Sequence, residues 1–482
     1  MSTRRKLILI ELNEVPYRVI DAYLRQRPDS NCARVLASSE QYVTFSEDSL
    51  ALDPWISWST LHRGVTDEKH QILHLGQVLE AVDREFPPIW RLLKKRELGI
   101  GVFGSLHSSN IPADASSYRF YLPDYFDDKA FAHPTELLPF QRLNLTMTRA
   151  SARNVTRKVP LGEIARFLAA APALGLTLAT ARECAIHLAR EVVDKSVRIR
   201  RRAYQPLIMA DLFLKQLDGT RPDFACFYTN HVAASMHRYW AAAFPEDYEQ
   251  PPDQEWIRRY EGEIPFAMDV FDRILGRLVS FVDADPAYTL AVASSMGQAA
   301  IPAEKTTEFL TITNLSKFMS RLGVPPEAWQ PRPAMVPCAC VVVKDEYRDR
   351  VLSVVNELVV DGHRMRESKR PAAPLSYDER ERGFFQFYVQ FDSYRGAPHA
   401  LVRDDVVELG ALGLGLMAHE DGVNCTAQHG PDGSLIVYTP TGKRKWSGSR
   451  DRISTTEVAP AILNFFGFDA PAYMRVPRPL LG

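Results

Sequence analysis

Four short stretches of this 482-residue chain gather polar side chains directly behind apolar runs. They are ELNE with Glu11, Asn13 and Glu14, NHVAASMHRYW with Asn230, His231 and His237, SSMGQ with Ser295 and Gln298, and QHGPDG with His429. Imidazole and carboxylate groups side by side can do acid–base work, and so dense a set of hydrogen-bonding groups can hold a small polar ligand without metal. The same residues can instead hold one divalent cation through His237, His429 and either Glu11 or Glu14, because sites of two histidines and one glutamate exist. Catalytic roles are expected of Glu11, Asn13, His231, His237 and His429, and ligand-binding roles of Glu14, Asp53, Ser57, Asn230, Ser295 and Gln298. Two of these have a plainer reading: alternate strand residues face opposite sides, so Glu11 can point away from the site, and His231 can cap a helix. His62, His70 and His74 read as packing or surface residues.

These residues need strand ends to bring them together. Lys6–Leu24 reads as a buried strand turning into a helix, and open α/β sheets bind ligands at the carboxyl ends of their strands. In Ser49–Ile72, Pro54 favours a helix start, Trp55 to Leu61 form its first turns and Gly64 ends it. Pro88–Arg96 reads as another helix and Leu98–Gly104 as another strand. This β-α-α-β order predicts a parallel sheet covered by helices. The rhythm stops from about Asn110 to Asp218, where residues 161–218 are mostly helical, interrupted by Pro172 and Gly175. This region reads as a helical insertion over the site. Its apolar run FLAAAPALGLTLATA is too short to span a bilayer, and the alternative for it is peripheral membrane docking helped by Arg198, Arg200, Arg201 and Arg202.

Strands resume at Asp223–Tyr228 and Thr289–Ala293, around an amphipathic helix from Trp256 to Val282. Residues 337–400 read as a small β-α-β block: CACVVV a strand, YRDRVLSVVNELVV a helix, FFQFYVQF a strand, with Lys369–Tyr377 as a surface loop. A helix at Thr455–Phe466 closes the chain. The fold class expected is α/β, a mixed, mostly parallel sheet sandwiched by helices. Its core spans 1–109, 219–336 and 401–482, with a cap at 110–218 and a subdomain at 337–400.

The balance of 58 Lys+Arg against 59 Asp+Glu gives no global electrostatic argument for nucleic acid. MSTRRKLILIEL starts like a secretory signal, but Glu11 interrupts the apolar run and no small-residue cleavage site follows. A first sheet strand in a cytoplasmic protein is the expectation. The six cysteines include no CxxC pair and read as reduced packing thiols.

The arrangement of the four clusters resembles the alkaline phosphatase superfamily, in particular its phosphodiesterase/nucleotide-pyrophosphatase branch, over most of the chain outside 110–218. LILIELNEVPYRVIDAYL is similar to that family's opening strand and metal-binding turn. WISWSTLHRGVTDEKHQI resembles the helix behind its nucleophile, HRYW its His-x-x-Trp, and STTEVAPAILNFFGF its closing helix. The resemblance implies two zinc-like cations that activate a threonine or serine nucleophile. This chain departs from that pattern. Asn13 stands for the first metal-binding aspartate, Pro54 falls on or next to the nucleophile between Asp53 and Ser57, Ala233 replaces the aspartate four residues before His237, and Ser295 and Met296 replace an Asp-His pair. Ser57, Ser59 and Thr60 read either as displaced nucleophiles or as helix-start hydroxyls. Only His237 and His429 survive as ligands, so the expected cofactor is none or a single divalent metal, Zn or Mn, not the two-zinc set. The implied function is action on a phosphate- or sulfate-type ester, or a related group transfer, on a small polar or phosphorylated substrate. The alternative is a pseudoenzyme that binds a small polar ligand or a protein partner.

Overall fold

The computed structural model describes residues 4–126, 129–150, 160–419, 421–440 and 448–481. The chain divides into two compact units, one of Met1–Ala150, Val155–Ala303 and Cys425–Gly482, the other of Ser151–Asn154 and Glu304–Asn424. Among the described residues the first is built on ten strands: β1 Lys6–Leu12, β2 Ser39–Phe45, β3 Ile100–Phe103, β4 Phe120–Leu122, β5 Phe224–Thr229, β6 Tyr288–Ala293, β7 Gly297–Ala300, β8 Ala427–Gly430, β9 Leu435–Tyr438 and β10 Asp451–Ser454. Eight of them form one sheet in the order β10-β2-β9-β6-β1-β5-β3-β4. Within it only β9 runs antiparallel to its neighbours, so the sheet is mixed and mostly parallel.

Period-two alternation along β1 sends Leu7 and Leu9 to one apolar layer and Ile8, Ile10 and Leu12 to the other. A parallel sheet buried on both faces needs such near-continuous apolar strands. The main helices are α1 Tyr17–Gln26, α2 Pro54–Arg63, α3 Leu161–Leu174, α4 Leu178–Val193, α5 Arg201–Thr220, α6 His231–Ala243, α7 Glu263–Ala284 and α8 Val458–Phe465. Helices α1, α5, α6 and α7 pack on the Ile8 side, and α2 and α8 on the Leu7 side. Helix α2 begins with Pro54 in its first turn, capped by the Asp53 side chain, and ends on Gly64 in the left-handed conformation at φ 65°.

The second unit holds a five-stranded, a four-stranded and a three-stranded sheet around its own core. Its limits differ from the 337–400 read from sequence, because strand Glu308–Ile312 pairs with Leu414–Ala418 and brings both flanks into it. Inside it, the helix stops at Val355, and Leu358–Val360 is a strand paired with His399–Val402. The loop expected at Lys369–Tyr377 ends early, since Leu375–Glu381 is a strand paired with Phe384–Val389. In the first unit, the helix expected over 256–282 breaks before Gly262, a poor helix former, into Gln254–Tyr260 and α7. Within 110–218, β4 belongs to the main sheet, while 161–218 is mostly helical as expected; Gly175 ends α3, but Pro172 lies inside that helix rather than interrupting it.

Candidate metal centre

The chain leaves β1 through a tight turn. The backbone N–H of Asn13 still donates to Thr229 on neighbouring β5, and Glu14 then takes a left-handed conformation at φ 59° that ends the strand. This turn buries the Glu14 carboxylate. Two histidines reach it: Nε2 of His237, on α6, lies 3.0 Å from Glu14 Oε2, and Nε2 of His429, on β8, lies 3.6 Å from the same oxygen. The rings meet nearly edge to face with centroids 5.3 Å apart. Each ring is fixed from behind, because His237 Nδ1–H donates to the Ala427 carbonyl at 2.9 Å and His429 Nδ1–H to the Leu52 carbonyl at 3.0 Å. That tautomer leaves both Nε2 lone pairs free to point at one spot, the arrangement that metal-binding histidines adopt.

Glu14 is oriented by two amides. Asn13 Nδ2 donates to its Oε1 at 2.6 Å, and Gln298 Nε2 donates to its Oε2 at 2.5 Å and also to the Ala233 carbonyl at 3.1 Å. The amide of Asn13 cannot be turned round, because the donor-only indole of Trp58 bonds its Oδ1 at 2.7 Å. Its Nδ2 also reaches Asn230, which is exposed. Gln298 stands beside His429 because β7 and β8 pair antiparallel with these two residues directly opposite. The pairing needs Gly297: a Cβ there would fall 2.0 Å from the Asp432 carbonyl oxygen.

Burial alone would raise the Glu14 carboxyl, but the charges and hydrogen bonds of His237, with His429 and Gln298, bring it down to about 2. Burial would likewise lower His237, and the Glu14 charge overrides this and lifts the ring to about 9. Without a cation the pair is therefore an imidazolium–carboxylate ion pair near neutral pH.

The three donor atoms of Glu14, His237 and His429 lie within 4.8 Å of one another. Ligands about 2.0–2.1 Å from a tetrahedral ion stand about 3.3 Å apart, so the 3.0 and 3.6 Å spacings bracket the value zinc requires. Both imidazoles keep 27% of their side-chain surface exposed while the carboxylate keeps 3%. The set is thus backed by protein and open on one side.

The other residues singled out from sequence lie elsewhere. Glu11 occupies the opposite face of β1, where its Oε1 accepts from His62 Nε2 at 2.9 Å and from Ser105 Oγ at 2.9 Å, with Glu11 and His62 fully buried. His231 is held at both nitrogens, by the Thr229 hydroxyl at 2.6 Å and the Ala267 carbonyl at 3.1 Å, and burial lowers it to about 3. Asp53 accepts from the Trp55 N–H as the cap of α2. Ser57 and Ser295 bond each other at 2.8 Å, and both are fully buried. Ser59 bonds His107, and Thr60 bonds Asp48 and His70. Sequence reading missed Trp58 and the carbonyls of Leu52 and Ala427. A backbone acceptor leaves no trace in residue types, and Trp58 looks like any core tryptophan.

No protein-family model matches the chain, and no curated protein does. Among solved structures it is similar to murine ectonucleotide pyrophosphatase/phosphodiesterase 5, at 10% identity over 97% of this chain and 96% of that one, with a TM-score of 0.42. An inactive variant of the murine protein in complex with AMP matches at 11% identity over 97% and 96%, with the same TM-score. The human protein of that name matches at 9% identity over 98% and 97%, with a TM-score of 0.39. Likeness at this level does not define the chemistry, which has to be read from the side chains.

Proposed function

We propose that the protein is a divergent member of the alkaline phosphatase superfamily that acts on a phosphate- or sulfate-type ester with one divalent cation, Zn or Mn. The observation that carries this reading is the convergence of Glu14 Oε2 with the Nε2 atoms of His237 and His429, each ring locked by a backbone carbonyl. A second cation has no comparable donor set at the positions the family resemblance assigns. The Asn13 amide is spent on Trp58, Glu14 and Asn230, Ser295 is spent on Ser57, and Ala233 offers no side-chain ligand.

A cation bound here supplies Lewis-acid polarisation of an ester oxygen and lowers the pKa of water. One carboxylate and two neutral imidazoles would leave the occupied site net positive, which favours an anionic ester. Asn13 and Gln298 hold the carboxylate in line, and exposed Asn230 can hydrogen-bond substrate at the mouth. Ser57, Ser59 and Thr60 are fully buried and hydrogen-bonded, so the attacking group in this reading is water rather than a side chain. No disulfide joins the six cysteines, all of which lie among the described residues, and this supports a reducing, cytoplasmic setting.

Metal analysis of the purified protein, with aryl phosphate mono- and diesters and aryl sulfates assayed with Zn²⁺, Mn²⁺ or chelator, tests the reading. The expected result is about one metal per chain and turnover that disappears in His237→Ala. Protein without metal, and without turnover sensitive to that change, would sink it. The burial of every candidate side-chain nucleophile favours a second reading, a pseudoenzyme that keeps the pocket for a polar ligand. It predicts ligand-induced thermal stabilisation that survives chelator, with the ligand chemically unchanged.

A further inference from the structure

Helix α4 is amphipathic in the wrong sense for a helix that faces water. Its inward face carries Thr180, His187 and Glu191, all buried. His187 Nε2 lies 2.8 Å from Glu191 Oε1 and its ring stacks on Tyr204 with centroids 4.4 Å apart, and Glu191 pairs with Arg201. Its outward face presents Leu178, Ala185, Ile186, Ala189, Val192 and Val193, which fall within one stripe at 3.6 residues per turn and are all exposed. Leu178 and Val193 are each 90% exposed. Rolling the helix to bury this stripe would break the Glu191–Arg201 ion pair and the His187–Tyr204 stack.

Helix α3, joined to α4 through residues 175–177, repeats the pattern, with Leu161, Leu168 and Pro172 outward and Phe167, Ala171 and Leu174 buried. Of the fourteen large hydrophobic side chains exposed among the described residues, seven lie on these two helices. That is a concentration, not the scatter any surface shows. Charge accompanies it. Residues 161–202 hold eight Arg and Lys against four Asp and Glu, in a chain that is otherwise balanced. Arg182 sits inside the α4 stripe, and Arg166, Arg190 and Lys195 are exposed at its margins or on the neighbouring helix. Part of this charge is paired, Arg166 with Glu163, Arg201 with Glu191 and Arg200 with Glu263, while Glu183 pairs with Arg273 outside the segment.

We propose that α3 and α4 form a face that docks on an anionic lipid bilayer, lying in the interface with the leucine, isoleucine and valine side chains among the upper acyl chains and the arginines at headgroup level. Insertion across the bilayer is not the mode, because among the described residues no helix is long and apolar enough to cross. A second copy of the chain fits less well. A two-fold contact would set the same cationic margins against each other, and the outward stripes offer no aromatic anchor of the kind that dominates protein interfaces.

Sedimentation of the full chain with vesicles of equal parts phosphatidylcholine and phosphatidylglycerol, and with vesicles of phosphatidylcholine alone, tests this. The expected result is binding to the mixed vesicles that weakens with salt and with removal of phosphatidylglycerol. The exposed-site variant Leu168→Ser/Ile186→Ser/Val193→Ser should reduce the bound fraction about tenfold, as should Arg182→Glu/Arg190→Glu. Circular dichroism melts should show both variants folded as the parent is. The proposal is overturned if the parent stays in solution with both vesicle types, or if both variants bind as it does. It is also overturned if sedimentation velocity shows a dimer that the serine variant dissolves, which would make the face a protein interface.

Discussion

Glu11 and Glu14 leave the same strand three residues apart, and each meets an imidazole at nearly the same distance, 2.9 Å to His62 and 3.0 Å to His237. Their surroundings differ in two respects. The Glu11–His62 pair has no exposed side-chain surface, and Glu11 Oε2 and His62 Nδ1 find no hydrogen-bond partner among the described residues. At Glu14, carbonyls hold the far nitrogens of two rings, amides hold the carboxylate, and one side is open. A carboxylate–imidazole contact is therefore not a site by itself. What separates the two is a fixed tautomer, a second ring aimed at the same oxygen, and access.

The comparison breaks most visibly at the ligands. His237→Ala or Glu14→Gln should abolish stoichiometric metal and lower ester turnover on the order of a thousandfold, while Glu11→Leu should leave metal content unchanged. Equal loss from both sides of β1 would erase the distinction. Stability should respond the other way. Glu11→Leu strands a buried imidazole and should cost about 3 kcal/mol in urea unfolding, whereas the double change with His62→Leu should recover most of it. Gln298→Ala removes one of the two amides that orient Glu14 and should weaken metal affinity about 10–100-fold in a chelator competition without changing the urea midpoint.

The remaining effect is graded with pH. Below about 9 His237 carries a proton that a cation must displace, so apparent metal affinity should rise about tenfold per pH unit from neutrality and level off above that value. In chelated protein the sign reverses. The raised His237 value stabilises the fold fully below the unfolded histidine pKa, and this contribution is lost as pH rises through about 9. The lowered Glu14 value stabilises above the unfolded carboxyl pKa and is lost as pH falls toward about 2. Thermal melts across pH should thus show the metal-free protein losing stability at the alkaline end while the loaded protein does not.

Much of this site was legible because apolar runs that end abruptly on Glu, Asn or His mark strand ends, and strand ends of one parallel sheet meet at one edge. His237 and His429 were found that way although 192 positions separate them. The choice between Glu11 and Glu14 was not legible. It depends on the face to which β1 sends its odd-numbered residues and on a left-handed turn at a glutamate, which residue type does not favour. Strands β2 and β10, at one end of the sheet, escaped for a related reason: SEQYVTF and DRIS carry polar side chains and borrow their strand character from the neighbours they pair with. The limits of the second unit escaped too, since they are set by pairing between segments about a hundred residues apart.

The indole of Trp58 is bonded to the amide that orients the Glu14 carboxylate, and the ring is wholly buried. An optical reporter is thus wired into the centre with no label attached. Any ion that draws Glu14 off its amide partner alters the field at that indole, so its near-ultraviolet dichroic signal should follow occupancy during a titration. Trp58→Phe should silence that signal and leave those of the other tryptophans in place.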